Sequence, residues 1–254
     1  YAGMEHQSSV TYGNGYENGY LGRDVSGSGW GMKFDFIIVH ETAHEWFGNS
    51  ITHRDVADMW IHESFASYAE NLFVDYHFGT QAANEYVQGV RKNIVNNRPI
   101  IGTYGVHKEG SPDMYYKGAN VLHTLRQLVE NDSLWREVLR GLNREFYHSV
   151  VEGEDVENYI SRMTGKDLSA FFNQYLRTAK VPVWEYRIEG DSLKFRYADV
   201  VENFDMPLRL KGEKETWIFP SAEWTAMPWN SREGKPTVDP NFYVLTRELT
   251  RKRR

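Results

Sequence analysis

Apolar residues recur at helical spacing through the first two thirds of the chain. Phe34, Ile37, Ile38 and Phe47 form one stripe and predict a helix over about residues 32–48, with Gly48-Asn49 as its stop. Phe65, Tyr68, Leu72 and Tyr76 form a second stripe over about residues 58–77, closed by Gly79. Further helices are predicted over residues 80–97, 115–130, 133–147, 155–163 and 167–177, with Thr80, Ser133 and Asp167 as candidate caps. After Pro182 the period changes to two. Trp184, Tyr186 and Ile188 alternate with charged residues, as do Leu193, Phe195 and Tyr197, and Gly190-Asp191 supplies a turn between them. Short strands are also expected at 207–211, 216–219 and 242–247. The expected fold class is α+β: a mainly helical domain over residues 1–180 followed by a small β-sandwich over 181–254. Between Gly13 and Gly31, Gly, Asn and Ser dominate, yet Tyr16, Tyr20 and Trp30 need somewhere to pack, so this stretch reads as an ordered loop.

A hydrophobic content of 41% with 25% charged residues is enough to bury a core and argues against extensive disorder. The net charge of -6 excludes nucleic acid as a general partner, because phosphate binding wants an excess of Lys and Arg. Arg251, Lys252, Arg253 and Arg254 are a local exception and read as a solvated tail. Without cysteine, any metal must be held by His and carboxylates. No apolar run approaches the roughly 18 residues that span a bilayer, and the first ten residues do not resemble a signal peptide. The localisation stays open. A chain that starts at Tyr1 is expected to be a piece of a longer protein.

The strongest chemical signal is His40-Glu41-Thr42-Ala43-His44, an HExxH run. On a helix its two imidazoles lie one turn apart and can reach one ion, while Glu41 points about 100° away, toward a water on that ion. Catalytic zinc needs a third protein ligand and an open position. The metzincin spacing fails, because it would put Gly at 47 and His at 50 where this chain has Phe47 and Ser50. Glu63 is the candidate: it lies on the second predicted helix, where Trp60, Ile61 and Phe65 argue for burial, and a buried Glu needs a cation. His62 beside it points elsewhere and reads as a decoy, and the other histidines as surface or packing residues. Asp58 is expected to orient a ligand or to fix the loop between the two helices.

These residues resemble the M1 family of gluzincin metallo-aminopeptidases. His40 to Asn49 reads HETAHEWFGN against a family pattern close to HExxHxWFGN, and Asp58 to Ala66 reads DMWIHESFA against one close to DLWLNEGFA. The resemblance implies a thermolysin-like catalytic domain, one zinc ion on His40, His44 and Glu63, and Glu41 as general base. AGMEH at Ala2 to His6 is similar to the family's GxMEN, which implies that Gly3, Met4 and Glu5 bind substrate, Glu5 by pairing with a free α-amino group. YYKGA at Tyr115 to Ala119 is similar to YxKGA and implies Tyr115, rather than Tyr116, as the tyrosine that stabilises the transition state. His6, His62 and Ser64 depart from the pattern, standing where the family has Asn, Asn and Gly. The implied activity is zinc-dependent removal of N-terminal residues from peptides with a free N-terminus. The alternatives are a peptide-binding module that has lost catalysis and a glycyl aminopeptidase of the related M61 family. The resemblance further implies a large N-terminal β domain, the first strands of the catalytic domain and a C-terminal helical domain outside this stretch.

Overall fold

The computed structural model describes residues 2–212, 214–230 and 234–250. The basic run Arg251–Arg254, expected as a solvated tail, lies outside the described residues. The chain divides into two compact units, Tyr1–Lys166 and Asp167–Arg254, and mixes helix and sheet.

The first unit opens with β1 (Gly3–Met4), paired antiparallel with β2 (Thr11–Tyr12). Helix α1 (Phe36–Ala43) starts at Asp35, whose carboxylate accepts from Ile38 N. It is shorter than predicted at both ends: Trp30–Lys33 forms a separate 3-10 turn, and the chain leaves the helix after Ala43. Gly48 then reverses it at φ 144°, a backbone angle that side chains resist. Strand β3 (Ile51–His53) follows. Ile38 was expected in the buried stripe but is 46% exposed, because α1 turns Phe36, Ile37 and His40 inward instead.

Helix α2 (Trp60–Phe78) is buried almost all round from Trp60 to Asn71, so its pattern is that of a central helix rather than a one-sided stripe. Tyr76 of the predicted stripe is exposed near its end. Helices α3 (Thr80–Gly89), α4 (Tyr116–Val129) and α5 (Asp132–Glu145) follow. The cap of α5 is Asn131, which accepts from Leu134 N, and not Ser133; α3 begins after Gly79 with no side-chain cap, so Thr80 does not serve either. Strand β4 (Ser149–Val151) lies parallel to β3, and α6 (Gly153–Thr164) completes the unit. Phe34, Ile37, Val74, Ala83 and Tyr86 belong to one buried cluster that joins α1, α2 and α3.

The second unit begins with α7 (Ser169–Arg177), so the compact boundary falls ahead of the change of period at Pro182. Strands β5 (Val183–Glu189) and β6 (Ser192–Ala198) form the predicted hairpin, turning at Gly190, φ 61°. Trp184 opposes Tyr197 and Tyr186 opposes Phe195, and all four rings are buried. Strands β7 (Leu208–Lys211), β8 (Thr216–Ile218), β9 (Thr225–Pro228), β10 (Thr237–Val238) and β11 (Leu245–Glu248) complete two sheets, ordered β11-β5-β6-β9 and β10-β7-β8. Among the described residues no helix is long and apolar enough to cross a membrane.

The link between β3 and α2 is held by Asp58, which is fully buried and accepts from Gly153 N at 2.9 Å and from the Tyr104 hydroxyl at 2.8 Å. Asp58 therefore fixes the loop, and no hydrogen bond joins it to a histidine at the HExxH run. Asp58→Ala is expected to cost about 2 kcal/mol of stability, since it strands a buried N–H at Gly153. A urea titration checks this, and an unchanged midpoint would contradict it.

Candidate active site

Helix α1 presents His40 and, at its C-terminal cap, His44, with ring centroids 4.9 Å apart. Glu63, in the first turn of α2, brings Oε2 to 3.3 Å from His40 Nε2 and 3.5 Å from His44 Nε2. The outer nitrogens of both rings are already committed. His40 Nδ1 lies 2.7 Å from Glu70 Oε1, and His44 Nδ1 donates to the Phe47 carbonyl at 2.9 Å. A carbonyl can only accept, so His44 carries a proton on Nδ1, and Nε2 is the nitrogen left to face Glu63. His40, His44 and Glu63 are all buried, and their ligating atoms lie within 4.8 Å of one another, close enough to hold one metal ion.

The electrostatics show what this crowding demands. Burial disfavours charge on His40, but its hydrogen bonds to Glu63 and Glu70 outweigh burial and raise its pKa to about 10. Burial likewise opposes ionisation of Glu63, and the two imidazoles overcome it and hold the carboxyl well below its usual range. The site wants positive charge between these groups, as a proton or as a metal cation.

Glu41 is buried beside the cluster, and its pKa is raised, chiefly by desolvation, with the His40 and His44 charges opposing. Such a carboxylate is a stronger base than one in water. Glu5 approaches from β1: a carboxylate oxygen of Glu5, one of Glu41 and a His44 nitrogen also lie within 4.8 Å of one another. The Glu5 backbone is tied down by Asn49, whose Nδ2 donates to its carbonyl at 3.1 Å. Gly3 lies against Glu41 so closely that a Cβ there would come within 2.1 Å of Glu41 Oε1. Met4, also on β1, is exposed.

Tyr115 caps α4 and stacks near His40, with ring centroids 6.0 Å apart. Burial and the Glu63 charge push its phenol far above the usual range. Tyr116 instead packs its ring against the buried cluster around Tyr86. Both tyrosines line the cleft, Tyr115 beside His40 and Tyr116 over that buried cluster. All of these groups line one cleft of about 610 Å³, whose wall also carries Tyr20, Met59, Val95 and Glu109.

Glu70 was not singled out in the sequence. It is buried, its carboxyl is pushed up by desolvation, and it bridges His40 Nδ1 to the Tyr86 hydroxyl, 2.6 Å from its other oxygen. The available signal was its position seven residues after Glu63, two turns along the same face of α2. Glu70 thus stands behind His40, while Asp58, expected either to orient a ligand or to fix the loop, holds the loop. His62 stays outside the cluster: it accepts from His53 N at 3.0 Å and stacks on the His53 ring. His6 pairs with the Thr11 hydroxyl at 3.2 Å, across the β1 turn.

Two histidines one turn apart and a glutamate from a second helix are a donor set able to hold a metal ion, with the Glu41 carboxylate beside it in the cleft. A model of the peptidase family M1 domain matches residues 1–175, and the chain belongs to that family. Aminopeptidase N of Lactococcus lactis subsp. lactis is 26% identical over 96% of this chain and 29% of its own length. Leucyl aminopeptidase of Saccharolobus solfataricus is 25% identical over 83% of this chain and 29% of its own. The chain thus spans less than a third of the length of these curated relatives. A solved structure of Legionella pneumophila aminopeptidase A in complex with aspartic acid shares the fold, with a TM-score of 0.71 at 15% identity over 97% of this chain and 30% of that one.

The contact between Gly3 and Glu41 leads to an expectation for β1. Gly3→Ala should displace the strand from α1 and cost about 1–3 kcal/mol through overpacking. Chemical denaturation and a crystal structure of the variant would check it; an unmoved β1 with unchanged stability would refute it.

Proposed function

We propose that this chain is the zinc-binding catalytic portion of an aminopeptidase, with His40, His44 and Glu63 as ligands, Glu41 as general base, Tyr115 as oxyanion donor, and Gly3, Met4 and Glu5 at the substrate. The observation that carries the reading is the convergence in one cleft of three buried ligand-type atoms with two further carboxylates, Glu41 and Glu5. The donor set suits zinc: two imidazole nitrogens and one carboxylate oxygen leave a fourth position open, and Glu70 and the Phe47 carbonyl orient the rings from behind. We further take the two sheets of the second unit as a small β-sandwich following the catalytic domain, on the strength of the alternating burial along β6.

Zinc, when bound, supplies a Lewis acid that activates a water and polarises the scissile carbonyl. Glu41 takes the proton of the attacking water and delivers it to the leaving amine, a role that its raised pKa favours. The Tyr115 hydroxyl donates to the oxyanion, and because its own proton is held so firmly it arrives at the transition state as a donor. Glu5 pairs with the substrate ammonium and fixes which peptide bond lies in reach of Glu41. The substrates are peptides with a free N-terminus.

Metal content tests the ligand assignment directly. The protein should carry one zinc per chain, and His44→Ala should lose it; a variant that keeps full stoichiometry would overturn the site.

Turnover of aminoacyl arylamides by the full-length protein, with and without chelator, tests the activity. Glu5→Ala is expected to change KM and kcat together, since the ammonium is present in ground and transition states alike. Tyr115→Phe should lower kcat by roughly 10²–10³ with KM little changed, the range for one oxyanion donor. If N-acetylated and free peptides are cleaved equally well, the aminopeptidase reading fails even with zinc in place.

A further inference from the structure

Ser64 follows Glu63 on α2 and is 1% exposed. Its hydroxyl donates to the Met114 carbonyl at 2.7 Å, a buried hydrogen bond across a separation of fifty residues in the chain. Met114 ends the 3-10 turn Pro112–Met114, and α4 starts at Tyr116, so Tyr115 is the joint between two helical segments. Its backbone angles, φ -71° and ψ -81°, belong to neither helix type. The Tyr115 carbonyl is taken up by Ala119 N and its N–H by the Pro112 carbonyl. The peptide joining Met114 to Tyr115 is therefore held on one side by the turn and on the other by Ser64.

The packing around Ser64 is equally close. A Cβ on Gly118 would come within 2.0 Å of Ser64 Oγ, so α4 lies against α2 at this point with no room for a side chain on Gly118. The hydroxyl is the one polar group that Ser64 adds at that crossing, and it is spent on the carbonyl directly before Tyr115.

We infer that Ser64 is a positioning residue: its hydroxyl locks the Met114–Tyr115 peptide to the helix that carries Glu63, and so sets the distance between the Tyr115 phenol and the His40–Glu63 centre. The consequence for catalysis rests on the function proposed for Tyr115 above; the mechanical coupling does not. Because Ser64 stands where the resembled motif has Gly, the lock is a feature of this chain laid over a turn that has other supports, and its effect should be moderate.

The test uses Ser64→Ala and Ser64→Gly in the full-length protein. Hydrogen–deuterium exchange should speed up at the amides of residues 113–119 while the remainder of α2 keeps its protection. This readout is independent of turnover. Unchanged exchange there overturns the coupling, whether or not the protein is an aminopeptidase. A global loss of protection along α2 also overturns it, since Ser64 would then support the core in general.

The kinetic arm is a double-mutant cycle. Ser64→Ala should lower kcat about three- to tenfold, the scale of one buried neutral hydrogen bond, with KM and zinc content unchanged. In the Tyr115→Phe background the same change should have no further effect on kcat. A loss of equal size in both backgrounds would show that Ser64 does not act through Tyr115. Absence of turnover in the wild type would count against the proposed function and leave the exchange result to decide the coupling.

Discussion

Four ionisable side chains, His40, Glu63, His44 and Glu70, meet between α1 and α2 with almost no access to water. Two carboxylates in such a place are costly unless positive charge sits among them. The arrangement answers this in layers: Glu70 is taken up by His40 and the Tyr86 hydroxyl, and Glu63 by the inner nitrogens of both imidazoles. The burial that makes the pair α1 and α2 a firm scaffold is thus the same burial that demands a cation at its centre. An apolar replacement of the cluster would pack more cheaply, so its presence is a sign of chemistry rather than of stability.

The rest of the first unit arranges what the two helices cannot supply. Helix α1 can place Glu41 beside its own histidines, but a second carboxylate near them has to come from another segment. The segment before β2 provides Glu5, and Asn49, just past the reversal at Gly48, ties that segment to the end of α1. The joint at Tyr115 brings a phenol ring beside His40. In each case a close approach is made possible by a missing side chain: Gly3 under Glu41, and Gly118 under Ser64. Short-range geometry is in this way traded for positional accuracy where the polar groups meet.

The motif residues, the helices and the β5–β6 hairpin were legible in the sequence, because each depends on local spacing. Two histidines four residues apart share a helix face whatever surrounds them, and alternating Trp184, Tyr186 and Ile188 can bury one face only as a strand. The pattern overextends α1 because Phe47 continues the apolar stripe beyond the end at Ala43; the chain instead reverses at Gly48 into β3, which pairs with β4 nearly a hundred residues away. The period puts Tyr76 in a buried stripe, yet its side chain faces outward while Val74, two residues before it, is buried.

What the sequence determined by itself was the set of groups on offer: two histidines and Glu63 as candidate donors, Glu41 beside them, and the helical spacing that puts His40 and His44 on one face. Which further residues complete the centre was decided by the tertiary structure. Glu70, Asn49 and Ser64 look like ordinary polar positions in a row of letters, and for Asp58, open in the sequence between a ligand's partner and a tie for the loop, the bonds to Gly153 and Tyr104 favour the tie. The reason is physical: a hydrogen bond between residues dozens of positions apart depends on how helices cross, and a periodic pattern specifies which face of a helix is buried without specifying what it will meet there.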